Sequence, residues 1–127
     1  MRSPLPTGAR SLDATASVTR PLPEGAIIRP VLRHIVLFAF KDSVTAAERA
    51  ALLDAVRGLR GKVPSLRSLE LAENVSPARA QGYTHVLLES FDDRDGLAAY
   101  ASHPDHVPVG ARLRDAASQL IAVDLVL

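Results

Sequence analysis

The segment Val31–Phe40, Val-Leu-Arg-His-Ile-Val-Leu-Phe-Ala-Phe, constrains this chain more than any other. It is rich in strand formers. Alternation puts His34, Val36, Phe38 and Phe40 on one face and Arg33, Ile35, Leu37 and Ala39 on the other. Both faces are largely apolar, so the strand belongs in the middle of a sheet that must be covered on both sides. At six residues, the apolar run Ile35 to Phe40 is far too short to span a bilayer.

The rest of the chain supplies the partners for that strand. Thr45-Ala-Ala-Glu48 is a capping box, in which hydroxyl and carboxylate satisfy backbone N–H groups reciprocally. Leu52, Leu53, Val56 and Leu59 follow at helical spacing, and Gly61 with Pro64 is expected to end the helix. A second strand is expected over Leu66 to Val75, a turn over Pro77 to Gly82, and a third strand over Tyr83 to Phe91. Asp92 or Asp93 can cap a second helix that breaks near His103-Pro104. A further turn or two is expected after Pro108, and Leu120 to Leu127 reads as the last strand. The order is β-α-β-β-α-β, an α+β fold of the ferredoxin-like type.

One such sheet with helices on one side leaves Ile35, Leu37, Ala39, Val86 and Leu88 as a bare apolar patch. Two copies placed sheet to sheet would remove it, so a homodimer is expected. Residues 1–30 differ in character, with Pro4, Pro6, Pro21, Pro23 and Pro30 among Ser, Thr, Ala and Arg. They read as a disordered tail, and residues 31–127 as the folded domain.

Composition removes several function classes. With no cysteine, thiol chemistry, disulfides and Cys-based metal sites are excluded. A net charge of +1 and few aromatic residues offer neither an electrostatic footprint nor a stacking platform for nucleic acid. No signal-peptide pattern opens the chain, so a cytoplasmic location, with no membrane partner, is expected.

The chemistry that remains is carried by four histidines, His34, His85, His103 and His106. Imidazole takes or gives a proton near neutral pH, which suits carbonyl–enolate chemistry. A strand histidine is commonly satisfied by a neighbour instead, and His34 and His85 can be read that way. If the first and third strands pair about their centres, these two lie roughly five residues, or about 16 Å, apart. His103-Pro-Asp-His106 lacks a third ligand and a fixed helical spacing, so no metal site is assigned and His103 is read as a turn residue. Glu89 and Asp124 fall on strands, as buried acids or as edge groups.

Three segments in order, Arg33–Lys41, Gly82-Tyr-Thr-His-Val-Leu-Leu-Glu89 and Tyr100-Ala-Ser-His-Pro-Asp-His-Val107, resemble the stress-responsive dimeric α/β-barrel (Dabb) family. The resemblance implies a dimeric barrel with a pocket between sheet and helices. Through the family's plant polyketide cyclases, it further implies an intramolecular aldol condensation without a cofactor. The catalytic tyrosine and histidine of those enzymes fall on Tyr100 and His106, and their pocket histidines on His34 and His85. A pocket tyrosine of the first helix falls on Val56, a departure that changes the pocket wall, and Phe38 is expected to reach the same space. In this reading His106 abstracts a proton beside a carbonyl of a small, largely apolar ligand, and Tyr100 orients His106 or the ligand. The alternative is a non-catalytic stress or assembly protein whose barrel dimer is the functional unit. A cofactor-free monooxygenase on a similar barrel fits less well, since the chain has no tryptophan.

Overall fold

The computed structural model describes residues 30–127, so all of the proposed 1–30 tail except its last residue lies outside the described residues. The elements are β1 (Leu32–Phe40), α1 (Ala46–Arg57), β2 (Ser68–Glu73), a 3-10 turn (Pro77–Ala80), β3 (His85–Phe91), α2 (Arg94–Ala101), α3 (His106–Ala116) and β4 (Ala117–Val126). The four strands form one antiparallel sheet in the order β2-β3-β1-β4, with β1 central as its two apolar faces require. This is the ferredoxin-like α+β arrangement, with the last helical region split in two. No helix among the described residues is long and apolar enough to cross a membrane.

Pairing register sorts the side chains by face. His34 sits opposite Glu89 on β3 and Asp124 on β4, Val36 opposite Leu87 and Ala122, and Phe38 opposite His85 and Leu120. This face meets the helices. Phe38 and Phe91 are fully buried, and Leu52 and Val56 of α1, Tyr100 of α2 and Leu113 of α3 close over them. The opposite parity, with Ile35, Leu37, Val86, Leu88, Ile121, Val123 and Leu125 in matched register, makes the second sheet face.

Local chemistry fixes the helix ends. At α1 the Thr45 hydroxyl accepts from the Glu48 N–H at 3.1 Å, and the Glu48 carboxylate accepts from the Thr45 N–H at 2.8 Å. This capping box holds the Glu48 carboxyl pKa below its usual range, since the ionised form is the better acceptor. The helix stops at Arg57, before the expected Gly61. Beyond it, three-residue turns such as Leu59 N–H to Val56 carry Leu59 and Val63 into the core. Gly61, with φ of +83°, then turns the chain toward β2.

The C-terminal third differs most from the sequence reading. Helix α3 begins at His106, two residues ahead of Pro108, and β4 begins at Ala117 rather than Leu120. Pro108 lies in the first turn of α3, where its missing N–H would have had no helical acceptor. Strand β4 starts early because Ala117 and Gln119 already pair with Phe40 and Ala39 across an irregularity in the register. Asp93 is the residue that caps α2, accepting from the Gly96 N–H at 2.9 Å.

Thr45→Ala is expected to lower stability by about 1 kcal/mol, read as a reduced urea midpoint at unchanged slope, whereas Thr45→Ser keeps the midpoint close to the parent.

Candidate functional site

A cavity of about 350 Å³ opens between the helix-facing side of the sheet and helices α2 and α3. That volume lies at the small end of ordinary ligand sites. Small side chains create it. Ala101, Gly110 and Ala122 line its wall at positions where larger residues would fill the space. Val36, Leu87, Leu97, Leu113 and Leu120 make most of the remaining wall apolar. Into this setting the fold brings His34, Glu89, Tyr100 and His106, with Arg114 exposed along the same wall.

His106 is held by the break between α2 and α3. Its Nδ1 lies 3.1 Å from the carbonyl of Ala101, the last residue of α2. A carbonyl only accepts, so this contact places the proton on Nδ1 and leaves Nε2 as the basic nitrogen. Burial pushes the His106 pKa below the ordinary imidazole value. The Ala101 bond opposes that shift, and the nearby charges of Arg114, His34 and His103 add to it. The surroundings therefore favour the neutral ring. It packs against Tyr100 with centroids 4.2 Å apart and planes tilted by 45°.

Tyr100 does not orient His106 through its hydroxyl, as the sequence suggested it might. That hydroxyl donates to Glu89 across the base of the cavity. Burial, with the Glu89 charge and its hydrogen bond, pushes the Tyr100 pKa far above the usual phenol range. Burial likewise raises the Glu89 carboxyl pKa, against the smaller lowering effects of the Tyr100 hydrogen bond and His34. His34 completes the group, with Nδ1 2.5 Å from Asp124 and Nε2 4.0 Å from Glu89. Asp124 thus fixes the tautomer of His34 and turns its Nε2 toward Glu89.

The other sequence candidates lie elsewhere. His85 is four residues along the sheet from the His34 level, about 13 Å away. It stacks on Phe38 with centroids 5.2 Å apart and bonds to the Thr84 hydroxyl at 2.9 Å. Phe38 and Val56 are buried in the core and do not line the cavity. His103 accepts from the Asp105 N–H at 3.1 Å, in keeping with a turn role. No group of three or more side chains suited to hold a metal occurs among the described residues. A separate surface groove of about 420 Å³ is lined by Lys41, Ser43, Glu48, Arg112 and Asp115 but holds none of the histidines.

Sequence reasoning did not single out Glu89, Asp124 or Gly110 as parts of this site. The signals were present. Glu89 shares the parity of Leu87 and Phe91, and Asp124 that of Leu120 and Ala122, so each is an acid on a face otherwise given to the core. Gly110 lies four residues after His106, one helical turn on. A Cβ there would come within 3.1 Å of the imidazole Cε1 and 3.2 Å of Nε2. Gly110→Ala removes a helix penalty of up to about 1 kcal/mol but is expected to push the His106 ring by a few tenths of an ångström. The expected outcome is a displaced His106 Hε1 resonance in an NMR titration, without loss of thermal stability.

Comparison with known proteins agrees with this architecture. Residues 32–127 match the model of the stress responsive A/B barrel domain. The chain is 36% identical over 94 residues to an uncharacterized protein of Streptomyces coelicolor, covering 72% of this chain and 96% of that one. It is 24% identical over 94 residues to olivetolic acid cyclase of Cannabis sativa, covering 73% and 93% of the two chains. A dimeric ferredoxin-like protein of unknown function from Thermobifida fusca superposes with a TM-score of 0.69 at 26% identity, over 84% of this chain and 100% of that one. The chain belongs to the stress-responsive A/B barrel (Dabb) family.

Proposed function

We propose that the cavity binds a small, largely apolar molecule with an enolisable carbonyl, and that His106 moves a proton at the carbon beside that carbonyl. The observation that carries this reading is the placement of His106: its Nδ1 is tied to the Ala101 carbonyl and its Nε2 is left free, on the wall of an apolar cavity shared with Tyr100 and His34, where burial favours the uncharged ring. A neutral imidazole with one free nitrogen is a base matched to working near pH 7. His34, fixed by Asp124, supplies a second group able to hold or return a proton. Similarity to a polyketide cyclase favours an aldol-type closure as the reaction class. His85, Phe38 and Val56 then act by shaping the core behind the site.

A direct check uses acetylacetone in deuterium oxide, with NMR following deuterium entry at the central carbon. The carbon gives its proton to His106 Nε2 and receives a deuteron back, so no other reactant is consumed. His106→Ala is expected to slow the protein-dependent exchange by roughly a hundredfold or more while leaving the circular dichroism spectrum unchanged. Exchange at the parent rate in that variant removes His106 from the mechanism.

We further propose that a second copy covers the outer sheet face. Leu88, Ile121, Val123 and Leu125 are each between 38% and 46% exposed there, an apolar surface that water penalises. The Thermobifida fusca protein is dimeric, which supports a homodimer. This face also favours the second reading, a non-catalytic assembly role, which predicts a stable dimer with no deuterium exchange. Val123→Asp is expected to convert the dimer to a monomer in light scattering at micromolar concentration. An unchanged dimer mass would require another interface.

A further inference from the structure

Glu89 is the only charged side chain among the described residues that is buried, at 2% exposed, and it lies within the cavity wall. A carboxylate is costly to desolvate, and this one has incomplete compensation. One oxygen, Oε2, takes the Tyr100 hydroxyl. The other, Oε1, lies 4.0 Å from His34 Nε2, beyond hydrogen-bonding distance.

A phenol has a single proton to point, so the state of Glu89 dictates what Tyr100 can offer a ligand. When Glu89 is ionised, Tyr100 must donate to it, and the hydroxyl presents only lone pairs to the cavity. When Glu89 is protonated, the acid donates to the Tyr100 oxygen and the phenol proton turns toward the ligand. The chain then runs from Glu89 O–H to Tyr100 O–H to a ligand oxygen, and no negative charge is left beside it.

We propose that Glu89 is a positioning residue whose proton sets the direction of the Tyr100 hydroxyl, and that the neutral Glu89–Tyr100 pair is a donor site for the oxyanion of a phenolate or enolate. The inference deepens the ligand reading above and rests on it. The ligand class follows from the shape and charge of the cavity, a small apolar chamber with one directed donor at its base. An anion bound there repels an ionised Glu89, so each phenolate that enters draws one proton from solvent onto that carboxyl.

The groups that face Glu89 are few and can be separated. His34 on β1 stands beside it, and Asp124 on β4 is bonded to His34. Tyr100 comes from α2, and His106 with the Arg114 cation from α3. On β2 the residue opposite Glu89 is Leu69, which is apolar. Burial acts on Glu89 in the direction the proposal needs, raising its pKa. His34 and His106 are the competing proton acceptors, so the test must tell Glu89 from both.

The experiment is calorimetric titration of the full chain with 2,4-dinitrophenolate, which stays ionised throughout pH 6 to 9, in buffers of differing ionisation enthalpy. The parent is expected to take up about one proton per ligand at the upper end of this range, with affinity falling about tenfold per pH unit once free Glu89 is ionised. Glu89→Gln keeps a donor to the Tyr100 oxygen but cannot titrate. It is expected to bind with little proton uptake and with nearly flat pH dependence. Tyr100→Phe keeps the ring packing and loses the donor, and is expected to bind at least tenfold more weakly. Binding without proton uptake in the parent, or uptake that persists in Glu89→Gln, overturns the role of Glu89 and leaves the cavity as a ligand site. Failure of the parent to bind the probe at any pH overturns this inference, and acetylacetone exchange then decides whether the broader ligand reading falls with it.

Discussion

Strand β1 lies between β3 and β4, and its alternation decides what every neighbouring residue can do. Side chains on a strand have no third direction. Once Val36 and Phe38 face the helices, Ile35 and Leu37 must face the other way, and the cross-strand pairs on β3 and β4 follow. The same rule places three polar side chains, His34, Glu89 and Asp124, in one row across the sheet on the helix side. A slip of one residue in any pairing would send a member of that row to the opposite face. The apolar register that holds the sheet together therefore also aligns the site.

Polar groups under helices need compensation, and the molecule meets that need with its own side chains and backbone. Asp124 satisfies His34, Tyr100 satisfies one oxygen of Glu89, and the carbonyl ending α2 satisfies His106. These bonds fix orientations as well as energies, since each leaves a defined atom facing the cavity. The Ala101 carbonyl is one of the unpaired groups at a helix end, so the break between α2 and α3 both terminates a helix and seats the His106 ring. The small residues Ala101, Gly110 and Ala122 do the complementary work of leaving room. Stability alone would favour larger side chains at such positions, because filled cores gain contact energy.

Much of this architecture was legible in the sequence. Periodicity showed the two-sided strand, the capping box located the start of α1, and the order of elements gave the ferredoxin-like topology. The approximate separation of His34 and His85 could also be foreseen from antiparallel pairing, and the structure places them four residues apart along the sheet. The least legible part was the C-terminal third. Helix was expected only after Pro108, yet Pro108 sits in a first turn that tolerates it, and pairing to β1 drew Ala117 into the sheet. Local signals could not foresee either outcome.

The sequence by itself determined which residues alternate, which faces are apolar, where α1 is capped and which side chains carry titratable chemistry. These depend on local stereochemistry and on a period of two or 3.6 residues, both written in the chain. Only the tertiary structure decided that Glu89, Asp124 and Gly110 belong with Tyr100, His106 and His34, while His85, Phe38 and Val56 stand away from the cavity. His34 and Asp124 lie 90 positions apart and meet because β4 pairs with β1 in one register. Which partner a buried polar group finds depends on distances across the sheet and between layers, and those exist only once the chain has packed.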